Sequence, residues 1–260
     1  MARIHKVKQR CPLISVVVRC RKEIEQALFS HWSNESFSID SEFIDGKMTA
    51  GVVHSIPKAP MINWNEQTQN FLNFYLQQTT DFVQQLMVRS QRPSVCIVVS
   101  SSVVYGSQVD QVEEGKPVEN NVWADWIVQY ENIFSSLDKV GIRVVYIRSG
   151  VVLVEGSIPS TYLYAGKKED WVSWISSRDL CRFIDHCLRL DRAKGMYHLA
   201  SSNWVQKKSC IRNKRIRAFS RIRTFIQGES IFSPSQKIVS RRIKDLEFHF
   251  SQENVVKIKN

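Results

Sequence analysis

Residues Val95-Cys96-Ile97-Val98-Val99 form an unbroken apolar run with no polar alternation, the pattern of a β-strand covered on both faces rather than one with a wet side. A strand of that kind needs helices above and below it, and the flanking sequence supplies them. Before it, Phe71, Tyr75, Phe82 and Leu86, with Leu72, Leu76, Val83 and Met87, recur at helical spacing and predict a long amphipathic helix over 66–89. After it, Trp123 to Val140 predicts a second long helix, and Arg143-Val144-Val145-Tyr146-Ile147 the next strand.

The same alternation extends in both directions. Leu13 to Val18 reads as a strand, and Lys22 to Trp32 as a helix with Ile24, Ala27, Leu28 and Trp32 on one face. Ala50 to His54 is another short strand that stops before Pro57. A helix over 178–190 and a strand over 196–200 follow. Strands and helices in this order predict right-handed crossovers and an α/β fold, a Rossmann-like doubly wound parallel sheet with a small C-terminal lobe. The expected division is a dinucleotide-binding-type domain over 1–155 and a substrate-side and C-terminal portion over 156–260.

One element of that fold is missing its usual chemistry. No glycine occurs before Gly46, although the first strand-to-helix turn of a dinucleotide fold uses glycines so that backbone amides can approach a pyrophosphate. The assignment of the first strand stays open between two alternatives. If the 13–18 run is the second strand, the central strand is absent and its neighbours lose ladder partners. If it is the first, Arg19 and Arg21 fall at a turn crowded by side chains.

Six cysteines are scattered without C-x-x-C spacing, which fits reduced thiols better than a disulfide frame, and no metal site is expected. No stretch approaches the ~18 apolar residues of a membrane helix, so no membrane partner is expected. The first 22 residues are basic, with Arg3, Lys6, Lys8, Arg10, Arg19, Arg21 and Lys22, and the expected location is cytoplasmic or mitochondrial. The net charge of +11 is concentrated in the 207–223 segment, which holds Lys207, Lys208, Arg212, Lys214, Arg215, Arg217, Arg221 and Arg223. Such a segment can meet an acidic partner or nucleic acid without sequence specificity, or can simply be a solvated face.

Five ordered segments resemble an atypical short-chain dehydrogenase/reductase, and more narrowly the epimerase-family proteins of the 39U class. They are Gly51-Val52-Val53-His54, followed by Trp64-Asn65-Glu66; Val98 to Gly106, with its serine triplet; Val144 to Leu153, containing Arg148-Ser149-Gly150-Val151-Val152-Leu153; Ser173-Trp174-Ile175 with Asp179-Leu180; and Tyr197-His198-Leu199-Ala200. The tail from Gln236 to Phe250 resembles the class's small C-terminal domain. The resemblance implies NADP-linked oxidoreduction or epimerisation on an unknown small-molecule substrate. It also implies Ser101 and Tyr130 as catalytic positions, cofactor contacts at Arg19, Arg21, His54, Ser100, Arg148, Gly150 and Val151, and a homodimer through the long helices.

The departures imply reduced or lost activity. Four residues after Tyr130 stands Phe134, not the lysine that lowers a catalytic tyrosine's pKa. Ser176 and Arg178 replace the class's histidine and aspartate, and the stretch between Gly150 and Trp174 is short. The alternative is a noncatalytic scaffold or assembly protein that binds through the 207–223 segment.

Overall fold

The computed structural model describes residues 14–33, 37–40, 42, 43, 49–57, 64–153, 167–210 and 234–251. The chain runs β1 (Ile14–Arg19), α1 (Lys22–Trp32), β2 (Phe37–Asp40), β3 (Gly51–Ser55), α2 (Glu66–Val88) and β4 (Val95–Ser101). It continues through a short β5 (Gln111–Val112), α3 (Val122–Ile133), β6 (Arg143–Ser149), β7 (Val151–Leu153), β8 (Trp171–Val172) and β9 (Trp174–Ser176). Last come α4 (Ser177–Arg189), β10 (Gly195–Leu199), β11 (Val205–Gln206), the short α5 (Lys207–Cys210) and β12 (Lys237–Ile238).

Six strands form one sheet in the order β10-β6-β4-β3-β1-β2, and every neighbouring pair is parallel. This order closes the question left open by the sequence. The chain steps outward from β1 to β2 and then returns to the other side of β1, so β1 lies at the reversal point and holds the place of the first strand of a doubly wound sheet. β2 takes the place of the second strand and β3 that of the fourth. Among the described residues no strand flanks β2 on its outer side. The sheet thereby keeps a paired centre with an apolar core, because β1 has ladder partners on both edges.

Alternating side chains send each strand's residues to two faces. One face sets Val17, Val52, Cys96, Val98 and Val144 against Leu72, Phe82, Val83 and Leu86 of α2 and Trp123, Trp126 and Ile127 of α3. The other sets Val16, Val18, Val53, Ile97, Val99 and Val145 against α1 and α4. That second core also takes in Ile243, Leu246 and Phe248 from the C-terminal stretch, which is tied to α4 where the buried Asp179 accepts from Ser251 N and Oγ.

Helix starts follow from local chemistry. Asn65 accepts from Thr68 N at 2.8 Å, Asn121 from Trp123 N and Ala124 N, and Ser176 from Asp179 N, each side chain meeting an otherwise unpaired amide of the first turn. The helix expected over 123–140 is shorter than predicted. It tightens at Phe134 into a 3₁₀ turn over 134–140. Ser135 and Ser136 donate their hydroxyls to the carbonyls of Asn132 and Ile133, three residues back, and Phe134 and Leu137, three apart, stay on one buried face as that tighter turn requires.

Candidate functional site at the C-terminal rim of the sheet

The rim where ligands bind in doubly wound folds is formed here by the ends of β1, β3, β4, β6 and β10. The strand register places Ser100, Arg148 and His198 side by side, with His54 on the same face two positions lower. All four lie in the motif segments, and three of them, Ser100, Arg148 and His54, are residues the sequence marks as site positions. The structure adds the partners that bind them.

Glu131, buried on α3, is the hub. Its Oε1 accepts from Ser100 Oγ at 2.6 Å and from Arg148 Nε at 3.0 Å, and its Oε2 accepts from an Arg148 terminal nitrogen at 2.6 Å. The other terminal nitrogen of Arg148 donates to Tyr105 Oη at 2.8 Å, and Tyr105 Oη lies 2.7 Å from His198 Nε2. His198 Nδ1 is 3.1 Å from Val239 O. A carbonyl only accepts, so Nδ1 carries a proton, and in the neutral form that burial favours Nε2 accepts from the Tyr105 hydroxyl. Burial lowers the His198 pKa in the same sense, although Glu114 opposes it. For Arg148, burial alone would weaken the charge, but the hydrogen bonds and charge of Glu131 outweigh it and the pKa is raised.

Ser101 lies at the end of β4 with a different task. Its Oγ accepts from Val103 N at 3.2 Å and caps the turn over 102–105. Gln236, from the C-terminal stretch, clamps that turn by donating to Ser102 O at 2.9 Å and Gly106 O at 2.7 Å.

Tyr130 is wholly buried, its hydroxyl 2.8 Å from His54 Nδ1. The rings of Tyr75, Phe82 and Phe134 surround His54 at centroid distances of 6.0, 5.5 and 5.2 Å. Burial, helped by the Arg19 charge, lowers the His54 pKa to about 3, and burial raises that of Tyr130 well above its usual value. Phe134 occupies the position four residues on as a buried wall of this box. Ser101 and Tyr130 meet different partners, and no hydrogen bond joins them among the described residues.

The first crossover contains only Cys20 and Arg21 between β1 and α1. Arg21 N donates to Ser55 Oγ at 2.8 Å, and the Cys20 thiol faces Val53 O at 3.6 Å. Tyr75 Oη donates to Ser55 O at 2.6 Å. Burial pushes the Cys20 thiol up to about 12, so it is not a thiolate near neutral pH. Glu23 and Glu25 occupy the first turn of α1, where they already complement the positive end of the helix.

Because β1 is the first strand, Arg19 and Arg21 lie at the first crossover and not beside the second strand, where an arginine could meet a 2′-phosphate. The Arg19 guanidinium packs over the Phe82 ring at 4.7 Å. The actual second strand ends in Asp40, which accepts from Ser15 Oγ at 3.1 Å. A carboxylate there repels a 2′-phosphate. The residues at this crossover do not fit a nicotinamide dinucleotide: the donor amide of Arg21 already has a partner, and two carboxylates stand behind it.

Beyond β6, a Cβ on Gly150 would lie 2.7 Å from Ser173 O, so glycine is needed there for the close passage of the β8–β9 segment. Val151 N donates to the same carbonyl at 2.8 Å. Of the basic stretch over 207–223, only Lys207 to Cys210 lie within the described residues. Lys207 is buried rather than solvated, with Nζ 3.1 Å from Asp170 Oδ2, and burial lowers its pKa. The basic residues of 1–10 also fall outside the described part. Among the described residues no cluster of His, Cys, Asp and Glu could hold a metal, and no helix is long and apolar enough to cross a membrane.

Sequence reading did not find Glu131, Tyr105, His198 or Gln236 as parts of the site. Glu131 carried a signal, since it is the one acid on the buried side of α3.

The geometry defines a Rossmann-like α/β fold. No family model matches the chain. The chain is 24% identical over 157 residues to the epimerase family protein YfhF of Bacillus subtilis (strain 168), covering 56% of this chain and 52% of that protein, so it spans about half the length of that relative. It is 23% identical over 212 residues to the epimerase family protein SAB0724c of Staphylococcus aureus, covering 73% of this chain and 71% of that protein. Among solved structures, human epimerase family protein SDR39U1 (isoform 2) with NADPH superposes with a TM-score of 0.73 at 16% identity, covering 93% of this chain and 96% of that one. MoeE5 in complex with UDP-glucuronic acid and NAD gives 0.68 at 13% identity, covering 91% and 94%. By sequence the chain is thus similar to two epimerase family proteins, and by structure it shares the Rossmann-like fold of its structural neighbours.

Proposed function

We propose that this chain is an epimerase-family, short-chain dehydrogenase/reductase-type protein whose NADP-linked hydride chemistry on a small-molecule substrate is reduced or lost. The observation that carries this reading is the state of Tyr130. Its hydroxyl is sealed on a neutral histidine, and the place of the activating lysine is filled by Phe134. A phenol with a raised pKa and, among the described residues, no cation hydrogen-bonded to it is a poor proton donor or acceptor near neutral pH. Ser101 is engaged in capping its own turn.

Purified chain is assayed with NADPH or NADH against UDP-glucose, UDP-glucuronic acid and other nucleotide sugars of the kind bound by the structural neighbours. The expected rate equals that of Tyr130→Phe. Turnover that Tyr130→Phe abolishes would overturn the reading.

A further inference from the structure

The turn between β1 and α1 has a feature that the loss of catalytic groups does not require. At the reversal point of the sheet, the amide that would face a diphosphate is bonded to the neighbouring strand. Arg21 N donates to Ser55 Oγ at 2.8 Å, and the Ser55 carbonyl in turn accepts from Tyr75 Oη at 2.6 Å. Ser55 is wholly buried and its polar groups find protein partners: Oγ accepts from Arg21 N and donates to Ile56 O at 3.1 Å, and the carbonyl accepts from Tyr75. The Cys20 thiol facing Val53 O makes a second stitch between the same turn and β3.

We infer that this stitched turn is a sealed joint: Ser55 takes the hydrogen bond that a dinucleotide diphosphate would take, and Tyr75 holds Ser55 in place. The inference deepens the reading above and rests on it for the identity of the excluded ligand. Three features act together. A phosphate oxygen would have to displace Ser55 Oγ and leave a buried hydroxyl without its donor. It would approach the side chains of Cys20 and Arg21 where glycines normally leave room. It would also meet Glu23 and Glu25 in the helix turn behind the amide, where the favourable dipole is already matched. The joint closes the gap between β1 and β3 because its bonds run directly from the turn to β3.

Hydrogen exchange on the full chain tests this without any assay of activity. In the wild type, the amide of Arg21 should exchange at least about tenfold slower than an exposed amide, and about 1 mM NADPH should leave that rate unchanged. Ser55→Ala should speed exchange across 20–25 by about tenfold while leaving 95–101 protected. Tyr75→Phe, which keeps the Arg21 bond and frees only the Ser55 carbonyl, serves if Ser55→Ala does not fold, and should give a smaller acceleration confined to the same segment. An unprotected Arg21 amide in the wild type, or added protection of 20–25 by NADPH, would overturn the inference. An unprotected turn without turnover rejects the sealed joint and leaves the functional reading standing. Turnover sensitive to Tyr130→Phe with the turn still protected does the reverse.

Discussion

The two halves of the sheet's C-terminal rim are closed by different physics. On the β4–β6–β10 side a buried ion pair between Glu131 and Arg148 anchors Ser100, Tyr105 and His198 in one chain of hydrogen bonds. On the β1–β3 side the closing bonds are neutral: Arg21 N to Ser55, Tyr75 to Ser55, and Tyr130 to His54. Ser100, Tyr105, Arg148 and His198 of the charged half belong to motif segments, whereas the crossover of the neutral half holds Cys20 and Arg21 where a dinucleotide fold uses glycines. Charge in a dry site punishes the loss of one partner far more than a neutral bond does. The two halves should therefore respond to mutation on different scales.

Glu131→Ala should have the largest effect. It leaves the guanidinium of Arg148 buried without its counter-charge, a loss of about 3–5 kcal/mol in urea unfolding. A loss under about 1 kcal/mol would show that the network is solvated and that the contrast between the halves is false.

A shift of pH probes the neutral half. Unfolded histidine takes up a proton near its ordinary value of 6.5, while folded His54 resists protonation down to about 3. Between these values the unfolded state binds the extra proton, so stability is full above about 6.5 and falls as the pH drops. The expected loss between pH 7 and pH 5 is about 2 kcal/mol from His54, and the lowered pKa of His198 acts in the same direction. A flat stability profile over that range would mean that His54 is accessible in the folded chain.

Tyr130→Phe removes one neutral bond and leaves His54 Nδ1 without its partner, at about 1–2 kcal/mol. Thermal denaturation would resolve it, and an effect as large as that of Glu131→Ala would erase the difference between the halves. Ser101→Ala should be the mildest, about 0.5–1 kcal/mol, for the loss of a cap on a short turn. A larger loss would place Ser101 in the charged network instead.

The fold was legible where periodicity and burial agree. Val95–Val99 announced a strand covered on both faces, and the spacing of Leu72, Val83 and Leu86 announced the helix over it. What local sequence could not decide was the place of the first strand, because strand order depends on pairings between residues far apart in the chain, such as Val18 with Val53. That ambiguity bore on Arg19 and Arg21, which could meet a 2′-phosphate only beside a second strand, whereas the absent glycines counted against a dinucleotide under either assignment. The site residues Ser100, Arg148 and Gly150 were visible as motif letters. Their roles were not, because the partners that set them, Glu131, Tyr105 and the Ser173 carbonyl, lie on other elements. Lys207 shows the same limit: within a run of basic residues it looks solvated, yet Asp170, far away in the chain, holds it inside.

On the proposal made above, the rim between β1 and β3 excludes a dinucleotide. Calorimetric titration of the full chain with NADPH, and separately with NADH, tests this most directly. No saturable heat is expected with either nucleotide. A one-to-one isotherm with a micromolar Kd would contradict it.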